Sequence, residues 1–202
     1  MSKKDAYKQK IEAELELVKA KLAEYKAEAT LLAASGLMAA DNVPFIGVSV
    51  GNAELKANIG PTNYQAKVDD THYTASLGQY IGDNGRIALS YSYVEPKNNV
   101  KDSDAASLAY DFVLPVVDNA VMLYAGPVIG YTRYIEEAAG IKLDLSGLHY
   151  GGEAGVIVRL VNFVELEAGY RYFIETGSDT VAGIKVEADT LKMWYLGANL
   201  RF

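Results

Sequence analysis

Six ionisable residues in the last third of the chain stand in the phase of alternating strand positions: Glu153 and Arg159, Glu165, Glu167 and Arg171, and Arg201. Asp111, further upstream, falls in the same phase. Residues separated by an even number of positions share one face of a β-strand. Carboxylates gathered on such a face can do acid–base work, line a path for a small ion, or pair with the arginines beside them. Where the face is enclosed, pairing is the expected outcome, because an unpaired buried ion costs several kcal/mol of desolvation. The ion path and the acid–base reading are its rivals. His72 and His149 are the histidines of the chain, and cysteine is absent. Thiolate chemistry and disulfides are therefore excluded, and no clustered metal-ligand spacing appears. Neither histidine sits in a Ser-containing motif on an outward position, and His149 is predicted to point inward. No phosphate-binding or dinucleotide fingerprint is present. No catalytic residue, cofactor or metal is expected.

The elements that position these residues are strands. In the last twelve residues, Trp194, Leu196, Ala198, Leu200 and Phe202 take one face, and Tyr195, Gly197, Asn199 and Arg201 the other. The same alternation of an apolar wall and a polar, small-residue wall begins at Val43. Ile46, Val48 and Val50 open it. Tyr73 to Ile81, Ile87 to Tyr93, Leu108 to Leu114, Leu123 to Tyr131, Leu148 to Leu160 and Val164 to Phe173 continue it, giving eight strands expected at about 9–11 residues each. Gly82–Gly85, reading GDNG, is a tight hairpin turn. The links alternate: long (52–70), short (82–85), long (95–105), short (115–119), long (133–146), short (161–162), long (174–189). That rhythm is what an up-and-down barrel gives when one rim faces the periplasm and the other the outside. No run of 18 apolar residues exists, which excludes an ordinary transmembrane helix but not membrane strands, whose hydropathy averages out. Tyr at 15 and Gly at 18 suit interfacial aromatic girdles and a narrow interior.

With the terminal Phe202 strand, the pattern over about residues 43–202 resembles the small eight-stranded outer-membrane barrels of bacteria, OmpA-like and Opa-like. The resemblance implies an all-β, antiparallel, up-and-down transmembrane β-barrel in the bacterial outer membrane. Its long loops would be extracellular, and its closing strand would be read by the barrel assembly machinery. It implies contact with outer-membrane lipid and lipopolysaccharide, and a structural or surface-interaction role with a surface ligand taken through the loops. A narrow porin-like channel is the alternative and a lipid-modifying enzyme a further one. An eight-stranded interior is too narrow for a water channel, so the inward charges are expected to form a salt-bridged plug. The net charge of −7 argues against nucleic acid as a partner.

Residues 1–29 are of another composition: Ala, Glu, Lys and Leu without Gly or Pro. Ile11, Leu15, Val18, Leu22 and Tyr25 step as a heptad seam, so an α-helical extension is expected, periplasmic if retained. Self-association through residues 11–25 is one reading and a solvated single helix the other. Residues 30–42 read as the apolar core and cleavage region of a signal peptide, with Ala39 and Ala40 before Asp41, displaced from the chain start. More helix is the alternative there. The extension is either native and tolerated in export, or a fusion.

Overall fold

The computed structural model describes residues 43–202, apart from 61–63, 95–99, 118–119, 139–140 and 182. The expected helical extension, heptad seam and signal-like segment lie outside the described residues.

The described chain is a sheet of ten strands: β1 (Val43–Ile59), β2 (Tyr64–Ile81), β3 (Gly85–Val94), β4 (Val100–Val117), β5 (Val121–Ala138), β6 (Ile141–Asp144), β7 (Gly147–Val161), β8 (Val164–Glu175), β9 (Ser178–Val181) and β10 (Ile184–Arg201). β6 and β9 are four-residue additions to β5 and β10. The other eight run antiparallel, each beside its neighbour in sequence, and β1 pairs β10 from Phe45–Arg201 to Ile59–Val186. The sheet thus closes on itself. Phe202 also donates its amide to the Pro44 carbonyl at 3.0 Å, so the chain end is tied into the seam. Closure leaves no unpaired edge, which a strand structure in hydrocarbon requires.

Alternation then decides which face meets lipid. Val48, Leu77, Leu89, Phe112, Leu123, Leu160, Leu166 and Leu196 all point outward and are 45–65% exposed. Far more apolar surface is displayed than an aqueous monomer presents. Trp194, Leu196, Ala198 and Phe202 stand exposed on this wall, and Leu200 is half-buried on it. Tyr73, Tyr93, Tyr131, Tyr150, Tyr172 and Trp194 mark its upper edge.

The barrel strands are 10–18 residues long rather than about 9–11. The reason is a change of phase. In the lower part of β1, Ile46, Val48 and Val50 face out, and Gly47, Ser49 and Gly51 face in. Above, Asn52, Glu54, Lys56 and Asn58 face out, and Ala53, Leu55, Ala57 and Ile59 face in. The period stays two while the apolar side changes from outside to inside. Most of the expected loop 52–70 is therefore paired strand. Ala57, Tyr134, Leu145, Val186 and Ala188 bury one another above the apolar band, with Leu55, Ile59 and Leu143 packed on them. The short turns stay tight. Gly82 takes φ +57°, and Asn84 pins the turn to β4 by exchanging backbone bonds with Val113, 2.7 Å one way and 2.9 Å through its side-chain amide.

Leu166→Arg places a charge in the lipid-facing band and is expected to cost about 2–4 kcal/mol in bilayers. Unfolding titrations in phospholipid vesicles measure this. A variant as stable as the parent would mean that Leu166 does not face lipid.

Candidate functional site

The inward residues of β3, β4, β7, β8 and β10 meet in a single network inside the barrel. Arg86 is its centre, at 2% exposure. Its Nε donates to Asp111 Oδ2 at 2.8 Å, while Nη1 and Nη2 donate to the two oxygens of Glu167 at 2.9 and 3.1 Å. This is the forked guanidinium–carboxylate geometry that makes charge-assisted bonds strong. The same guanidinium lies 4.2 Å from the Tyr124 ring centre. Glu167 accepts further bonds from Tyr195 Oη (3.1 Å) and Asn199 Nδ2 (2.7 Å). Beside it, Arg171 Nε donates to Glu153 and its guanidinium stacks 4.9 Å from Tyr195. Nearer the short turns, Glu165 is fully buried and takes Tyr80 Oη at 2.7 Å, Arg159 Nε at 3.1 Å and the Arg201 guanidinium at 3.3 Å. The Arg201 contact is an ion pair without hydrogen-bond alignment, since its Nε has no acceptor. Four arginines (86, 159, 171, 201) thus stand against four carboxylates (111, 153, 165, 167).

Two aromatic side chains fill the rest of this level, and glycine makes room for them. Tyr124 and Tyr195 share a hydrogen bond of 2.6 Å. They pass over Gly155 and Gly169, which face each other across β7 and β8. A Cβ on Gly169 would lie 2.2 Å from the Tyr124 hydroxyl and 2.6 Å from the Tyr195 ring, so any side chain there evicts them.

All seven charged residues singled out from the sequence, Asp111, Glu153, Arg159, Glu165, Glu167, Arg171 and Arg201, lie in this network. The sequence reading missed Arg86, its hub. Its parity with Ala88, Ser90 and Ser92 on the inward face of β3 was the available signal, hidden because it follows directly on the turn. It also missed Glu175. That residue, read as loop, is an inward, buried residue of β8.

Above the network lies a second polar layer. His149 is held by Ser107 Oγ on Nε2 (2.9 Å) and Thr132 Oγ1 on Nδ1 (2.8 Å), and Thr132 donates to Glu175 Oε1 at 3.1 Å. A hydroxyl on one imidazole nitrogen resembles a nucleophile–base pair. Ser107 and His149 are both buried, however, and Phe173 covers the imidazole with ring centres 4.5 Å apart. His72 bonds the Trp194 carbonyl at 3.2 Å and Thr74 at 3.3 Å. Among the described residues, no group of three or more His, Asp or Glu side chains is placed to hold a metal.

Over residues 27–202 the chain matches the family described as outer membrane protein beta-barrel domain, and it belongs to that family. Its location is accordingly the bacterial outer membrane. No curated protein matches it in sequence. Among solved structures it is similar to Neisserial surface protein A (19% identity, 78% of this chain and 97% of that one, TM-score 0.55). It is also similar to outer membrane protein H of P. aeruginosa (22%, 81% and 100%, 0.52) and to the outer membrane enzyme PagL (14%, 77% and 97%, 0.50). At these identities the likeness is one of fold.

Arg86→Ala leaves Asp111 and Glu167 buried without their shared cation and is expected to cost about 3–5 kcal/mol. Arg159→Ala should cost less, because the Arg159 side chain is 21% exposed and water can reach Glu165 in its place. Denaturant unfolding in bilayers compares the two. Equal losses would show that the network has no centre at Arg86.

Proposed function

We propose that the protein is a sealed outer-membrane barrel with a structural and surface-presenting role. The observation that carries this reading is the Arg86 network. It crosses the lumen, and the cavity beside Arg86, Glu167 and Arg171 is about 20 Å³, room for a single water. In this reading the long hairpins face outward from the cell and the short turns face the periplasm. The hairpins are built for presentation. They continue the barrel strands, bury their own apolar cluster, and are clipped together where the Asp144 amide donates to Asp179 at 2.9 Å. The Ser146 hydroxyl and amide both bond Asp144, which holds that carboxyl below the usual range and fixes the end of the β5–β7 connection. A surface ligand would meet these hairpins, outer-membrane lipid and lipopolysaccharide would meet the outward wall, and the assembly machinery would meet the Trp194–Phe202 strand. We assign no catalytic role, since Ser107 and His149 are closed off from substrate. PagL is an enzyme by its printed name, so the fold by itself does not decide the point.

Planar-bilayer recordings test the seal. Parent protein is expected to stay at background conductance, and mass analysis of the surrounding lipid is expected to find it unmodified. A steady open level would overturn the sealed reading in favour of a narrow channel. Deacylated or newly acylated lipid would overturn the non-enzymatic one.

A further inference from the structure

One inward level of the barrel carries an interrupted row of charges. Arg86 on β3 stands beside Asp111 on β4, and Glu153 on β7 stands beside Arg171 on β8. Between Asp111 and Glu153 lies Gly126 of β5, which has no side chain to separate them. A Cβ on Gly126 would lie 1.9 Å from the Tyr110 carbonyl oxygen, so a larger residue does not fit there. The two carboxyls therefore face each other across a gap, each backed by an arginine. Both side chains are fully buried. The arginines occupy one oxygen of each acid. Asp111 Oδ2 accepts from Arg86 Nε at 2.8 Å, and Glu153 Oε2 accepts from Arg171 Nε. The other two oxygens, Asp111 Oδ1 and Glu153 Oε1, have no hydrogen-bond donor among the described residues. Arg86 Nη2 lies 3.9 Å from Glu153 Oε1, too far for a hydrogen bond. The two carboxyls are nevertheless in hydrogen-bonding contact with each other. Ionised carboxylates are acceptors only, so such a contact needs a proton. Two acids that share one site do not both ionise readily.

We infer that Asp111 and Glu153 form a binding site for a single proton, which bridges their otherwise unsatisfied oxygens across Gly126. The charge balance of the lumen points the same way. Nearer the short turns, Arg159 and Arg201 share Glu165, and water reaches Arg159, whose side chain is 21% exposed. The enclosed level above holds two arginines, 86 and 171, and three acids, Asp111, Glu153 and Glu167. Fully ionised, that level would keep one excess negative charge away from water. One bound proton removes it. The neighbouring donors are committed elsewhere. Arg86 gives its fork to Glu167 on β8, and Arg171 Nη1 reaches Ser90 on β3. Tyr195 Oη on β10 donates to Glu167, and Tyr124 Oη on β5 bonds Tyr195. The ion row is thus complete only while the proton stays. Its loss sets two like charges against each other in the middle of the wall. This site goes beyond the surface role proposed above and depends only on the burial of its two carboxyls.

Infrared spectra of the full chain, folded in phospholipid vesicles at neutral pH, read the proton directly. A protonated carboxyl absorbs apart from carboxylates, and its band shifts on deuteration. Such a band is expected to disappear in Asp111→Asn and in Glu153→Gln. It should survive Glu175→Gln, which removes the other lumen carboxyl with an unpartnered oxygen. Heat-modifiable gel mobility confirms that each variant is folded. Either amide can donate to the acid that remains, as the shared proton does. Each single variant should therefore keep the parent's unfolding midpoint at neutral pH. Each should also hold it into the alkaline range, where the parent loses the proton and its midpoint falls. The double variant leaves two enclosed arginines against Glu167 alone and should be the least stable of the four proteins. A parent spectrum without a band that these two substitutions remove would overturn the site. So would single amides as damaging as the double, or a parent midpoint that stays level with theirs as pH rises. A midpoint that climbs with sodium at fixed ionic strength, with no such band, would give the gap to a metal cation instead. A conducting barrel would sink the sealed-lumen reading and leave each of these outcomes unchanged.

Discussion

The constraint behind this structure is that the barrel wall has hydrocarbon outside it, so every charge turned inward must be neutralised within the lumen. Arg86 shows how the constraint is met. One guanidinium fork satisfies Glu167 with two bonds and Asp111 with a third, while Tyr124 covers its face. Replacing such a set by apolar residues is often neutral for stability, whereas removing one member is not. The network therefore cannot be altered piecemeal. Its geometry also dictates the residues around it. Gly155 and Gly169 lack side chains because Tyr124 and Tyr195 need that space, and those tyrosines stand there because Glu167 and Arg171 need donors and a ring.

The second consequence of the bilayer is that it ends. At Asn52 on β1 the outward wall no longer touches hydrocarbon, and the ordinary rule for a sheet in water takes over, apolar in and polar out. One continuous strand obeys two opposite rules along its length without a change of period. This is why the hairpins above the band are ordered structure with a small core of their own, centred on Leu145 and Tyr134.

The fold was legible because outward apolar alternation, short-turn chemistry and the rhythm of links are local signals. Each survives in a single sequence, and the Val48–Leu196–Phe202 wall and the GDNG turn carried most of them. Strand length was not legible. The phase inversion at Asn52 removes the outward apolar residues that mark a membrane strand, so 52–70 read as loop although Ala53, Leu55 and Ala57 kept alternating. The charged residues of β7, β8 and β10 could be assigned to the lumen by parity. Their partners could not, because pairing across a barrel depends on strand stagger. Ser107 finds His149 at a sequence separation of 42, and Arg86 finds Glu167 at 81. Nothing in the order of residues announces either.

A barrel sealed in this way has its accessible chemistry displaced to the outer rim. Inside, Ser107 and His149 have the contact geometry of a reactive pair but lie beneath Phe173, and the carboxylates of the Arg86 network are bound to arginines. At the rim the balance reverses. Trp194 and Tyr170 are exposed, and Lys192 stands at the same level as Glu54 and Asp69 in a concavity far larger than the water-sized spaces of the lumen. Charged side chains at headgroup depth have a polar phase beside them and do not need to cancel internally. The side chain of Trp194 belongs to this outer tier, while its backbone carbonyl accepts from His72 inside. A single residue thus joins the sealed polar interior to the wall that meets the membrane.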